Sequence, residues 1–328
     1  MKPATAAITD PPISPPMLAR LVLRWRRNAP SAGVGSHQRR KQGHSLEFRD
    51  YRPLQRGDDI RAVDWRASLR QPQRGELLMR NFEAEERLSL LILLDNRPAM
   101  LLPEAMPKLL YALWALRALA RLCLEQGDEV TLARLRQGPG APLLTLKGSG
   151  DDRRARDWSE TLWAGRDQAT DALADTAQIA GKLRPAGAVV VLSDMLFDDP
   201  GKILAQLARR AQRQQRSLSV VQLDSVAHEI ELLRQAQRFH LLRGPEDATE
   251  LLHLFDETAM AQATSAISSH LRGVRQDWSG GGLDWPGHPV SWPLPDPAVE
   301  GLAALALHFT RSFPRLPVLA GVLPGASA

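Results

Sequence analysis

Apolar residues along this chain form continuous runs in some places and helical stripes in others. Leu88–Leu94 (LSLLILL) is apolar except for Ser89 and ends on Asp95. A second run, Ala188–Leu192 (AVVVL), leads into Ser193 and Asp194. Runs of this length suit central parallel strands covered by helices on both faces. Between and after them the pattern changes to a period of 3.6. It predicts helices over about 104–126, with Leu109, Leu110, Leu113, Leu116, Leu119, Ala120 and Leu124 on the apolar face, and over 151–163, 167–183, 202–214, 257–272 and 297–308.

Strands are predicted at 129–135 and 142–146, joined through the turn-forming Gln137-Gly138-Pro139-Gly140, and at 217–223 and 289–292. Residues 238–243 and 251–255 read as an added hairpin. Alternating strands and helices of this kind predict a doubly wound, mostly parallel α/β sheet over 87–310.

The segment before the first apolar run is different. Residues 1–16 carry Pro3, Pro11, Pro12, Pro15 and Pro16 and predict a disordered tail with no signal peptide. Met17, Leu18, Leu21, Val22 and Trp25 gather on one face of an amphipathic helix over 17–27, opposite Arg20, Arg24 and Arg27. Such a helix packs onto its own domain or lies peripherally on an anionic membrane. A loop at 33–43 and extended segments around 46–51 and 76–82 complete a small β-rich subdomain, so that the N-terminal region spans 17–86. Residues 311–328 read as a second tail.

Composition narrows the function classes. Hydrophobic residues make up 44% and charged residues 24% of 328 residues, as in an ordinary globular chain. No apolar run approaches the ~20 residues a bilayer requires, and a cytoplasmic location is expected. The single cysteine, Cys123, sits in an apolar helical stretch and reads as a buried structural thiol. Charge is uneven: Met17–Arg87 holds 16 Lys plus Arg against nine Asp plus Glu, a net +7 within a chain of net +5. That asymmetry can mark a nucleic-acid, membrane or acidic protein partner, or interleaved salt bridges. No aromatic stacking platform accompanies the arginines, which weighs against nucleic acid.

Within the basic region runs Gly43-His-Ser-Leu-Glu-Phe-Arg-Asp-Tyr-Arg-Pro-Leu-Gln-Arg-Gly57-Asp58-Asp59-Ile-Arg61-Ala-Val-Asp64-Trp65-Arg66-Ala-Ser68, followed by Met79-Arg80-Asn-Phe82-Glu83-Ala-Glu85. This block resembles the hallmark of the bacterial domain-of-unknown-function 58 family, G-x-G-x-E-F then Y-x-x-G-D-D-x-R-x-I-D-W-R-x-S, with a later R-E-x-E-x-E element. The resemblance extends over about residues 33–310. It implies a von Willebrand factor A-like fold and work beside a MoxR-type AAA+ ATPase, as an adaptor in complex assembly or chaperone-like maturation.

The same fold often carries a divalent cation at the carboxyl end of its central strands, held by an Asp-x-Ser-x-Ser turn, a Thr and a second Asp. Here Asp95 matches the first aspartate and Asp194 the second, but Arg97 and Ala99 stand at the two serine positions. Thr170 is the candidate counterpart of the threonine, near Gly165-Arg166-Asp167. The site is therefore expected to be degenerate, with Arg97 pairing with Asp95 or Asp194 in place of an ion.

Two readings attach to Gly57, Asp58, Asp59, Arg61, Asp64, Trp65, Arg66, Arg80 and Glu83. In the structural one, Gly57 makes a turn, Asp58 or Asp59 caps a short helix, Arg–Asp pairs fix the subdomain and Trp65 packs in a core. In the functional one, the group is a docking surface or, with Glu85, a carboxylate cluster for metal-assisted hydrolysis. Nothing else points to catalysis. The eight histidines lack metal-ligand spacing, and P-loop, G-x-S-x-G and strand-following G-x-G-x-x-G motifs are missing. The chain is expected to be a non-enzymatic binding protein without a cofactor. Nucleic-acid or anionic-surface binding is the first alternative and metal-dependent hydrolysis the second.

Overall fold

The computed structural model describes residues 8–23, 46–54, 60, 63–70, 77–84, 89–103, 107–136, 142–166, 187–197, 203–213, 217–235, 239–243, 250–254, 256–279, 290–295, 297–316 and 318–321. Two compact units emerge, one of residues 29–87 and one of residues 1–28 with 88–328.

In the larger unit a short helix α1 (Pro15–Leu18) leads into strand β1 (Leu21–Leu23). In the smaller, β2 (Leu46–Pro53) and β3 (Leu78–Ala84) form an antiparallel pair with a register shift between Phe48 and Asp50, and α2 (Trp65–Arg70) lies between them in sequence. The larger unit continues with β4 (Ser89–Leu94), α3 (Lys108–Glu125), β5 (Glu129–Arg134), β6 (Leu144–Leu146), α4 (Asp152–Ala164), β7 (Gly187–Ser193), α5 (Ile203–Arg213), β8 (Ser217–Asp224) and α6 (Val226–Gln235). It closes with the antiparallel pair β9 (Phe239–Arg243) and β10 (Glu250–Leu254), then α7 (Glu257–Ser279), β11 (Val290–Pro293), α8 (Pro297–Ser312) and β12 (Leu319–Gly321).

Six strands form the main sheet in the order β11-β8-β7-β4-β5-β6. All neighbours are parallel except β5 and β6. This is a doubly wound order, with β4 and β7 side by side where the winding reverses, and it is consistent with a von Willebrand factor A-like α/β fold. The apolar runs work as expected of two-sided strands. In β4, Leu90, Ile92 and Leu94 enter one core and Leu91 and Leu93 the other. The first core holds α3, α8, Leu18, Leu21 and Leu23, and Phe313, Leu316, Val318 and Leu319; the second holds Leu207 and Ala208 of α5, with Leu271 and Val274 of α7 packed against it.

Helix α3 is buried at nearly every position, including Lys108 and Arg117. A helix apolar on all sides belongs inside a domain, and here segments before β1 and after α8 supply the cover. Trp114 donates its indole N–H to the Ile8 carbonyl at 2.9 Å, and the Arg117 guanidinium lies 3.5 Å from Asp10. Thr310 donates to the Pro12 carbonyl, and β1 pairs antiparallel with β12. Phe313 stacks on Phe309 with ring centroids 5.1 Å apart.

These contacts correct the expected tails. Residues 8–13, 312–316 and 318–319 hold packed positions, because the leucine-rich α3 would otherwise expose its outer face. The amphipathic helix foreseen over 17–27 is also replaced: within 17–23 the chain ends α1 at Leu18 and enters β1, burying Leu21 and Leu23 on alternate positions with Val22 outward. Residues 17–23 thus belong with the α/β unit, not with the subdomain. Helix α6 is absent from the sequence expectations, while the helix expected at 167–183 lies outside the described residues. No helix among the described residues is long and apolar enough to cross a membrane.

Candidate functional site

The carboxyl ends of β4 and β7 bring Asp95 and Asp194 together at the switch point of the sheet, the usual ligand position of open α/β folds. Backbone continuity fixes the first of them, since the Asp95 N–H donates to the Leu192 carbonyl at 2.9 Å. Both carboxylates are essentially inaccessible, and so are Arg97 and Lys108.

Arg97 fills the space between the aspartates. Its Nε lies 3.0 and 3.1 Å from the two Asp95 oxygens, and Nη2 donates to Asp95 Oδ2 at 2.8 Å and to Asp194 Oδ1 at 2.5 Å. Nη1 donates to the Leu196 carbonyl at 3.0 Å, and the guanidinium lies over the Phe197 ring, 4.5 Å from its centroid. The remaining Asp194 oxygen accepts from Lys108 Nζ at 2.9 Å, and the same ammonium reaches Glu229 Oε1 at 2.9 Å. Ser193 donates to Asp95 Oδ2 at 2.6 Å, and Ser225 donates to Glu229 Oε1.

The turn after β7 is shaped to this purpose. Met195 adopts φ 61°, a left-handed conformation rarely used by non-glycine residues. Ser193 Oγ accepts from the Met195 N–H at 2.9 Å, Asp194 Oδ1 accepts from the Leu196 N–H at 2.9 Å, and His270 Nε2 sits 2.8 Å from the Met195 carbonyl.

Charge states follow from these contacts. Burial would raise the Asp194 carboxyl, but Lys108 and Arg97 outweigh it and hold it below the usual carboxylate range. Burial would likewise lower the Lys108 ammonium, yet Asp194 and Glu229 hold it above the usual lysine value. Asp95 is raised by its complete burial and by the neighbouring Asp194, against the pull of Arg97.

A divalent cation does not fit this arrangement. Mg²⁺ demands a near-octahedral oxygen shell at ~2.0–2.1 Å, and each aspartate oxygen here already accepts a hydrogen bond from a cationic side chain. Ala99, half-buried in the turn after Arg97, offers no hydroxyl. Among the described residues no group of His, Cys, Asp and Glu is disposed to hold a metal. Arg166 at the expected threonine region donates to the Trp163 carbonyl at 2.8 Å and covers that indole, while Thr170 falls outside the described residues.

Sequence reasoning brought Asp95, Arg97 and Asp194 together but missed Lys108, Glu229 and Ser225. A signal for Lys108 existed: it opens a helix with leucine, alanine or an aromatic at most following positions, where a charge requires a partner. Nothing in the sequence singles out Glu229. Cys123 is buried, with Sγ 3.5 Å from the Glu129 carbonyl, and burial holds its thiol far above the ordinary range, as a structural role requires.

The motif block divides in two. Gly57, Asp58, Asp59 and Arg61 lie outside the described residues, and Arg80 and Glu83 are placed in β3 opposite Tyr51 and Glu47. Asp64 is the cap of α2: its Oδ1 accepts from the Arg66 and Ala67 N–H groups, each at 3.1 Å. The cap expected of Asp58 or Asp59 falls on residues outside the described ones. Ser68 donates to the Asp64 carbonyl at 2.8 Å and accepts from the Leu78 N–H at 2.9 Å, tying α2 to β3. Trp65 is not core packing: it is 56% exposed, and Leu69, one turn on, is 78% exposed. With six residues, α2 buries none of its side chains fully, so its apolar residues stay outward.

No curated protein matches the chain. The model of the family described as protein of unknown function DUF58 matches residues 50–225, from the β2 strand of the motif through the end of β8. That is more than half of the 328 residues, and the chain belongs to this family.

Proposed function

We propose that the chain is a non-enzymatic adaptor that binds a MoxR-type AAA+ ATPase through the small unit carrying the family motif. The observation that carries this reading is the outward face of α2. Trp65 and Leu69 stand four residues apart on one helical face, and Ile60 beside them in sequence is 60% exposed. Large exposed apolar side chains grouped in this way mark interaction sites more often than solvated surface, and tryptophan flanked by arginine has the composition of an interface hot spot. Arg66 and Arg70 are exposed on the same short helix, and residues 65–75 contain three arginines and no acidic residue. The partner surface is therefore apolar with a carboxylate rim. The α/β unit supports the reading by offering, at its switch point, side chains already engaged with one another.

The test is co-purification of a tagged chain from its own cell extract, with and without ATP, beside Trp65→Ala and Leu69→Ser variants. The expected result is recovery of an AAA+ ATPase by the parent chain and its loss in both variants. Recovery of no AAA+ protein under either condition overturns the proposal.

A further inference from the structure

The divalent ion expected of this fold carries two positive charges; Arg97 and Lys108 together carry the same two. We infer that this pair is a built-in replacement for the cation, and that the chain keeps a latent metal site beneath it. Arg97 Nη2 bridges Asp95 and Asp194, and Lys108 takes the oxygen of Asp194 that Arg97 leaves free. The two cations come from separate elements, the turn after β4 and the first turn of α3. The ammonium also reaches Glu229, which is 27% exposed at its side chain, so the pair fastens β4, β7, α3 and α6 at one point.

A free ion exchanges with solvent and leaves under chelation; a guanidinium and an ammonium anchored to the backbone do neither. They also close a mode of recognition. A metal at the end of a sheet can accept a partner's carboxylate as its last ligand, whereas here the side chains are 1% exposed for Arg97 and 2% for Lys108. A partner meeting this end of the sheet finds no cation to bridge to. This conclusion holds whether or not an ATPase is the partner, because it rests on the α/β unit alone.

The experiment compares the parent chain with the triple variant Arg97→Ser, Ala99→Ser, Lys108→Ala, which returns two hydroxyls and removes both charges. Thermal unfolding in millimolar Mg²⁺, in Mn²⁺ and in chelator is paired with an Mn²⁺ titration followed by electron paramagnetic resonance. The parent chain is expected to show the same Tm in all three and no bound Mn²⁺. The triple variant is expected to bind one Mn²⁺ per chain and to melt several degrees higher with either ion than in chelator. A parent Tm that rises with Mg²⁺ and falls with chelator overturns the inference, and so does a triple variant that stays unfolded in all three solutions or folds without binding Mn²⁺. The milder variant Lys108→Ala, which keeps Arg97, is expected to fold without gaining Mn²⁺; binding by it would overturn the joint role of the two side chains.

Discussion

Lys108, at the start of α3, donates through Nζ to Asp194 Oδ2 at 2.9 Å across 86 residues of sequence, with both side chains 2% exposed. The contact joins the first turn of the central helix to the end of the strand beside β4. It completes a set of charges in which no aspartate oxygen is left to solvent.

Removing one cation from that set should be expensive. Arg97→Met keeps bulk but leaves Asp95 and Asp194 facing each other. Breaking a buried ion pair on one side costs ~3–5 kcal/mol, and Arg97 pairs with two carboxylates. The guanidinium chloride midpoint is expected to fall accordingly, with an unchanged slope. A loss below ~1 kcal/mol would show that the network contributes little to folding.

The Lys108 contribution has a definite pH dependence. Its folded value lies above the usual one, despite burial, because Asp194 and Glu229 favour the charged form. A raised cationic group stabilises the fold fully below its unfolded value of ~10.4, and that stabilisation is lost as pH rises through the folded value. The stability difference between the parent and Lys108→Met is therefore expected to be constant from pH 7 to 9 and to shrink as the pH is taken above ~10.4. A difference that grows with alkalinity would contradict the charge assignment.

On α2, capping and docking separate cleanly. Asp64→Ala removes the acceptor of the Arg66 and Ala67 N–H groups and is expected to cost ~1 kcal/mol locally. Hydrogen exchange at those two amides should accelerate, and Asp64→Asn should retain most of the protection. Trp65→Ala and Leu69→Ser, both at exposed positions, are expected to shift stability by no more than ~0.5 kcal/mol while abolishing partner capture.

The N-terminal segment makes a further checkable contribution. Asp10 lies 3.5 Å from the Arg117 guanidinium and 3.3 Å from that of Arg156. With Asp10 gone, Arg117, 3% exposed, keeps Asp152 at 3.5 Å as its ion-pair partner among the described residues. Asp10→Ala is expected to lower stability by ~1–2 kcal/mol, and a variant melting like the parent would mean that the segment is held by Trp114, Thr310 and β1 without it.

The sequence by itself determined the layered α/β unit, because continuous apolar runs and 3.6-residue stripes are local signals that burial on two faces or one imposes directly. It also identified Asp95, Arg97 and Asp194, each at a strand end that periodicity locates, and it identified the motif that assigns the family. Tertiary structure decided the rest. Proline-rich residues 8–16 look unfit for order in isolation, yet they are held by an apolar helix whose need for cover is visible only once α3 is placed. Lys108 and Glu229 acquire their roles from a meeting of helices that no spacing encodes. Trp65 reads as core by composition, but a six-residue helix has too little face to bury it. Hydrophobicity fixes which residues want to leave water; only the packing of distant segments decides which of them succeed.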